Sequence, residues 1–426
     1  MHPTNDPALR SFVPVGPESH FPIQNLPYGL FRWRGEADKH IGVAIGNSIL
    51  DLGCLVEAGL LDEVPGADAL FTAESLGPFM AAGKPLWEAA RSAISRLLRE
   101  DEPALRDNEA LRAQALVPMG EVEMLLPTTI GDYTDFYSSR EHASNVGSMF
   151  RGPDKALLPN WLHVPIAYHG RASSVVVSGT DLHRPLGQTN PTNAPTPNFG
   201  PSQAVDFELE LGSFIGPGNE LGQPIACRQA ADHVFGFVLV NDWSARDIQQ
   251  WEYVPLGPFL AKNFGTSISP WVVPLLALEP FRVPGPVQEP PPLPYLQGAL
   301  DWGLNIELEA WLQAPGMEKP QRICRTNARY LYWNICQQVA HHTVNGCNLR
   351  TGDLIASGTI SGPTPESYGS LLELSWKGTK PIQLANGEQR TYLLDGDRVT
   401  LTGWCQGNGY RVGLGSVTGR ILPARS

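Results

Sequence analysis

The sequence predicts a turn-rich, mostly β protein of two domains, and three observations carry that expectation. A chain of 426 residues exceeds what one hydrophobic core usually serves. Its 43 glycines and 39 prolines are dispersed without a G-X-Y period, which excludes collagen and marks many turns. Short β-branched runs such as "SSVVVSG", "VFGFVLVNDW" and "DLIASGTISG" recur between Gly, Pro and Asn from Asp132 onward. With 42% hydrophobic and 17% charged residues, the chain has the composition of a well-buried globular protein and not of a disordered one.

Residues 1–120 form the expected N-terminal domain. The stretch "GLFRWRGEADKHIGVAIGNSILDL" (Gly29 to Leu52) alternates in short strands broken by Gly and Asn, as in a small barrel or hairpin set. "LWEAARSAISRLLRE" (Leu86 to Glu100) carries apolar residues at helical spacing, with Pro85 placed to open the helix. A second helix is expected over Ala104 to Ala115. Residues 121–426 form the larger domain. Asp232 to Asp242 and Ala328 to Val339 are ambiguous between helix and strand. The Pro-rich "EPFRVPGPVQEPPPLPYL" is read as a long surface loop inside this domain, because strand patterns resume beyond it in "LNIELEAWL".

Charge and composition narrow the function. A net charge of −12 argues against a nucleic-acid partner, which needs a basic face. No apolar run reaches the ~18 residues of a membrane span. The start "MHPTNDPALRSF" lacks a basic n-region followed by an apolar h-region, so we expect a cytoplasmic protein that is neither exported nor membrane-bound. The six cysteines (Cys54, Cys227, Cys324, Cys336, Cys347 and Cys405) form no C-x-x-C and read as reduced thiols. "SGTISG" lacks the Lys of a phosphate-binding loop, and no G-x-S-x-G is present, so nucleotide binding and serine hydrolysis are unsupported.

Acidic residues supply the first candidate chemistry. In "DFELEL", Glu208 and Glu210 stand two apart and project from one face of a strand, while Phe207, Leu209 and Leu211 face the core. Two like charges beside a core are costly unless a cation sits between them. Asp242 ends an apolar run, and Asp135 lies among aromatics in "GDYTDFYSS". Four hard oxygen donors suit Ca²⁺ or Mg²⁺ better than Zn²⁺; a solvated acidic face is the alternative. His142 follows in "YSSREHASNVGSMFR" with Tyr137 and Arg151 nearby, and His163, His169, His341 and His342 are rivals that spacing does not rank. "NDWSARDIQQWEYVPLGPFLAKNFGT" offers Arg246, Gln249, Tyr253 and Lys262. Helical spacing would put Arg246 and Gln249 on one side, where they could hold an anion or a developing oxyanion.

Long segments give these residues a context. "IGDYTDFYSSREHASNVG", "LPNWLHVPIAYHGRASSVVVSG", "NDWSARDIQQWEYVPLGPFLAKNFGT", "HHTVNGCNLRTGDLIASGTISGP" and "LLELSWKGT" closely resemble the fumarylacetoacetase family. The likeness extends to "FPIQNLPYGLF" and "LLDGDRVTLTGWCQGNGYRVGLG", and is weakest around residues 60–115, 188–200 and 297–317. The resemblance implies an N-terminal SH3-like barrel followed by a large mixed β-sandwich roll, in a homodimer. It makes Asp135, Glu208, Glu210 and Asp242 ligands of a divalent metal, with Lys262 and Thr266 beside a second, Mg²⁺-type position. His142 becomes the base that activates water, oriented by Glu373 of "LLELSW". Arg246, Gln249 and Lys262 become oxyanion donors, and Tyr137, Arg151, Tyr168, Gln249, Tyr253 and Thr359 contact the substrate.

The implied reaction is hydrolysis of the carbon–carbon bond of a β-diketo acid, the last step of tyrosine breakdown. Acylpyruvate hydrolases and oxo-acid decarboxylases or isomerases of the wider superfamily are the near alternative, but they resemble the large domain alone. A non-catalytic, Ca²⁺-stabilised β module is the alternative of another class. In that module His142 and Glu373 need not meet. For Glu373 itself, the alternation of Leu372 and Leu374 also allows an outward-facing acid on a strand.

Overall fold

The computed structural model describes residues 2–425. It is mostly sheet, with the largest assembly an eight-stranded sheet at the centre. No helix among the described residues is long and apolar enough to cross a membrane.

The N-terminal segment builds a five-stranded antiparallel sheet in the order Leu116–Pro118, Ser48–Asp51, His40–Ile45, Tyr28–Trp33, Val122–Leu125. Its tightest connection is the two-residue turn between the paired Ile45 and Ser48. Gly46 takes φ +57° there, which the first central position of such a hairpin favours for glycine, and a Cβ would lie 2.4 Å from the Pro14 carbonyl oxygen. The helix expected from Leu86 runs Lys84–Leu97, with proline in its first turn. The second helix is two pieces instead of one, Pro103–Arg106 and Glu109–Ala115. The break has a local cause, since the Asn108 side chain accepts from Leu111 N (3.1 Å) and caps a new start in place of continuing the old one.

In the larger part, the central sheet runs Ala167–Gly170, Tyr133–Phe136, Leu354–Ala356, Leu209–Ile215, Val234–Asp242, Thr266–Ile268, Val175–Val177, with Val273–Pro274 paired on the side of Val234–Asp242. Two of its pairings are parallel, so the sheet is mixed. The window from Asp232 resolves as the strand Val234–Asp242, and the window from Ala328 as a 3-10 turn followed by the helix Ile335–Thr343. The Pro-rich stretch is largely a loop, although Leu296 within it is buried and Arg282–Val283 pairs with Gly303–Leu304.

Both faces of the central sheet are covered. Odd-numbered Leu209, Leu211 and Ile215 share a core with Leu308, Ala310, Leu401 and Val417 of a second, five-stranded sheet. Even-numbered Phe214, with Phe235, Val238 and Val240, joins Leu30, Val43, Phe71, Phe79 and Trp87 of the N-terminal segment in another. The N-terminal segment therefore closes one face of the sheet that carries the acidic residues. That sheet must be apolar on both faces along most of its length and polar only where the strands end.

Candidate active site

Strand register brings the four acids together. Asp135 sits third in Tyr133–Phe136, opposite Ala356 on one side and Tyr168 on the other. Glu210 is the second residue of Leu209–Ile215, Glu208 lies just ahead of that strand, and Asp242 ends Val234–Asp242 with its N–H bonded to the Glu208 carbonyl. All four are buried, and one carboxylate oxygen from each lies within 4.8 Å of the others. The alternation read from "DFELEL" holds, since Phe207, Leu209 and Leu211 all enter the core.

Cations and hydroxyls gather on the same group. Lys262 Nζ donates to Glu208 Oε2 (2.5 Å) and Asp242 Oδ2 (2.8 Å). Asp242 also accepts from Tyr168 Oη (2.8 Å) and Thr266 Oγ1 (2.9 Å). Arg246 Nη1 meets Glu208 Oε1 at 2.8 Å and Gln249 Oε1 at 3.2 Å, so the helix Arg246–Glu252 does put the two side chains on one side. Burial would raise the Glu208 carboxyl, but Lys262, Arg246 and His142 outweigh it and hold it well below the usual range. The opposite holds for Asp135 and Glu210. Burial and the neighbouring carboxylates push both well above that range. Lys262, in turn, is pushed up because Asp242 and Glu208 overcome its desolvation.

A divalent cation fits this donor set. Asp135 Oδ1 and Glu210 Oε1 are buried and have no hydrogen-bond partner, and it is their carboxyls that burial and repulsion drive upward. A hard cation bound by oxygen ligands would satisfy both atoms and offset the repulsion.

A second constellation stands beside the acids. Ser139 caps the helix Arg140–Arg151 by accepting from His142 N, which fixes His142 in the first turn. His142 Nδ1 lies 2.7 Å from Glu373 Oε2, and both residues are buried. Glu373 is not on an outward-facing strand. Ser370 caps a single helical turn, Leu371–Leu374, that directs it inward. Ser361 Oγ reaches both Glu373 oxygens at 2.9 Å, Ser370 Oγ reaches Oε2 at 2.9 Å, and Asn145 Nδ2 reaches Oε1 at 2.9 Å. Burial alone would raise Glu373, but the imidazole of His142 and these donors prevail and hold it below its usual range.

The remaining residues divide by place. Tyr137 packs edge-on to His142 with ring centroids 5.3 Å apart. Thr359 is buried with an unpartnered Oγ1, and Arg246 Nη2 is likewise unpartnered. Arg151 and Tyr253 are not drawn into the buried group. Arg151 is exposed and donates to the carbonyls of Lys155 and Ala156, and Tyr253 is 48% exposed. Among the rival histidines, His163 and His169 are exposed, His341 pairs with Tyr295, and His342 pairs with Thr134. Four residues that sequence reading passed over take part: Asp206, Asn145, Ser361 and Ser370. The period-2 run of acids already pointed to Asp206, and Asn145 stands one helical turn after His142.

Comparison with known proteins agrees with this geometry. Residues 132–422 match the family described as "Fumarylacetoacetate (FAA) hydrolase C-terminal", and residues 24–127 match "Fumarylacetoacetase N-terminal". The chain is 56% identical over 417 residues to the fumarylacetoacetase of Arabidopsis thaliana, covering 98% of this chain and 99% of that one. It is 55% identical over 414 residues to that of Homo sapiens, covering 97% and 99%. A solved fumarylacetoacetate hydrolase from the psychrophile Exiguobacterium antarcticum shares the fold, with a TM-score of 0.52 at 16% identity, covering 93% of this chain and 100% of that one. On the matched spans and on identity above half over nearly its whole length, this chain belongs to the fumarylacetoacetase family.

Proposed function

We propose that the chain hydrolyses the carbon–carbon bond of 4-fumarylacetoacetate to fumarate and acetoacetate. The observation that carries this reading is the buried His142–Glu373 pair beside the four-carboxylate cluster, in a chain more than half identical to fumarylacetoacetases. Glu373 is acceptor-only when ionised, so Nδ1 of His142 is the donor in their bond and Nε2 is left free to take a proton. His142 removes a proton from water as its oxygen bonds to one carbonyl carbon of the diketone. Glu373 stabilises the imidazolium that results. Collapse of the tetrahedral oxyanion breaks the carbon–carbon bond, the electron pair leaves with the acetoacetate fragment as an enolate, and a proton returned from His142 completes that product.

Arg246, Gln249 and Lys262 hold the oxyanion, a role supported by the unpartnered Arg246 Nη2. Tyr137, Tyr168, Gln249 and Thr359 line the substrate's place, while Arg151 and Tyr253 meet it from the rim. Asp135, Glu208, Glu210 and Asp242 would hold Ca²⁺ or Mg²⁺, with Lys262 and Thr266 beside a second Mg²⁺ position. Such an ion supplies Lewis-acid polarisation of the diketone and charge compensation for the enolate.

In the same reading the reaction is the last step of tyrosine and phenylalanine catabolism. The N-terminal sheet is SH3-like, the two packed sheets of the larger part form a sandwich roll, and the protein is a cytoplasmic homodimer. Six free cysteines suit a reducing compartment, and exposed Trp251, Val254, Leu256 and Phe259 offer apolar surface to a second copy. The test is metal-dependent turnover of fumarylacetoacetate, with fumarate and acetoacetate identified as products. A metal-loaded protein that leaves this substrate intact would refute the assignment.

A further inference from the structure

Asp206 is buried among the catalytic candidates, yet it stands outside the carboxylate group that could hold a metal. Its two oxygens accept four hydrogen bonds. Oδ1 takes Phe207 N (2.8 Å) and Leu371 N (2.7 Å), while Oδ2 takes Leu372 N (3.0 Å) and Arg246 Nε (2.8 Å). Leu371 and Leu372 open the single turn that carries Glu373. Arg246 opens the helix that carries Gln249, and the residues before it, Ser244–Ala245, pair with Val205–Asp206. One carboxylate thus touches both halves of the machinery, the turn that presents Glu373 to His142 and the guanidinium that reaches Glu208.

We propose that Asp206 is a positioning residue that couples the oxyanion donor Arg246 to the Glu373–His142 pair, so that one buried carboxylate sets the placement of both. The inference rests on the reaction proposed above. Chemistry favours an acidic residue at this position. All four partners are donors, and only an ionised carboxylate offers two acceptor oxygens and no competing donor. Asparagine in either orientation would turn its N–H₂ toward one of the two turn amides, Leu371 N or Leu372 N, and would also remove the negative charge that Arg246 faces, so both branches would be weakened. The single turn Leu371–Leu374 is too short to hold its own orientation, so its first two N–H groups need an outside acceptor.

The test compares Asp206→Asn and Asp206→Glu in the full-length, metal-loaded protein, with Asp51→Asn as the control. Asp51 is also a buried carboxylate that caps a helix (Gly53 N and Cys54 N) and pairs with His40, but it lies in the N-terminal segment. Nitrogen-15 NMR of the Arg246 Nε–H and the His142 Nδ1–H reads both branches without turnover. Asp206→Asn should displace both resonances, and Asp51→Asn neither. Movement of only one resonance, or of neither, would overturn the coupling whether or not fumarylacetoacetate is the substrate. In turnover, Asp206→Asn should lower kcat by about 10- to 100-fold with KM little changed. Asp206→Glu should recover part of that loss, and Asp51→Asn should stay within about twofold of the parent. The factor should shrink when Asp206→Asn is combined with Arg246→Ala, and shrink again when it is combined with Glu373→Gln. An unchanged factor in either background would mean that Asp206 serves the fold alone.

Discussion

Replacing Glu373 with glutamine keeps the shape of the side chain and removes its charge, and the surrounding donors decide how much activity survives. The carboxylate accepts from His142 Nδ1 at 2.7 Å, from Asn145 and Ser370 at 2.9 Å, and from Ser361 at 2.9 Å on each oxygen. Glutamine has one acceptor oxygen and one N–H₂, so it cannot serve both sides. If the N–H₂ faces His142, it forces the tautomer with the proton on Nε2, and the imidazole can no longer accept a proton from water. If the N–H₂ faces Asn145 instead, two donors meet in a buried place, and the imidazolium still loses its counter-charge. Either arrangement removes stabilisation that the transition state needs more than the bound substrate does. The expected result is a kcat lower by ~10²-fold or more with KM nearly unchanged, equivalent to about 2.7 kcal/mol of transition-state stabilisation. Steady-state kinetics on fumarylacetoacetate, with a thermal melt to confirm folding, measures it. A glutamine variant within a few-fold of the parent would show that the pair does not work as a base and its orienting acid.

Four further outcomes are expected. His142→Ala should abolish most turnover while circular dichroism and metal content stay unchanged, and near-normal activity would exclude it as the base. Glu373, held below the usual carboxylate range, should keep its charge to lower pH, so the stability its pair contributes is lost only as pH falls through that lowered value; urea unfolding of the parent and of Glu373→Gln across pH measures it, and a stability difference that does not shrink in acid contradicts this. Chelation should abolish activity and lower the melting temperature, and Ca²⁺ or Mg²⁺ should restore both; at 100-fold excess over Kd the ion adds about 2.7 kcal/mol, and a melt insensitive to chelator and ion would dismiss the metal site. Phe235→Ala should cost ~3–5 kcal/mol by urea unfolding with kcat unaltered at 25 °C, because its ring packs within 5.9 Å of Tyr28, 5.6 Å of Phe79 and 5.3 Å of Trp87; a loss under ~1 kcal/mol would argue against a core shared between the N-terminal segment and the central sheet.

How legible each residue was depended on how local its signal is. Glu208 and Glu210 could be read directly, because a period of two on a strand fixes which way both side chains point. The same period reaches back to Asp206, but nothing local reveals that its partners are Arg246 and the N–H groups of Leu371 and Leu372. Asp135 and Asp242 showed their chemical type, while their meeting depends on strand pairings across the sheet. His142 and Glu373 lie 231 residues apart, and only the resemblance joined them in advance. "LLEL" has the alternation of a strand, yet it folds as a turn because Ser370 accepts from the Glu373 amide and starts a helix. The break at Asn108 is the same physics, a short polar side chain competing for backbone N–H groups.

The charge balance explains why these parts occur together. Asp135, Asp206, Glu208, Glu210 and Asp242 are buried close to one another, while the buried cations Arg246 and Lys262 bond Asp206, Glu208 and Asp242. A substrate carrying carboxylates would be repelled by such a group unless further positive charge were present. A dication held by the four converging carboxylates would meet that need and would supply Lewis-acid polarisation to a bound diketone. Arg151 and Tyr253 lie outside the cluster. Both are exposed to solvent and so avoid the cost of burial. The cluster is therefore expensive for the fold and useful for the reaction, which is why the two unpartnered carboxylate oxygens, on Asp135 and Glu210, lie where the metal would bind.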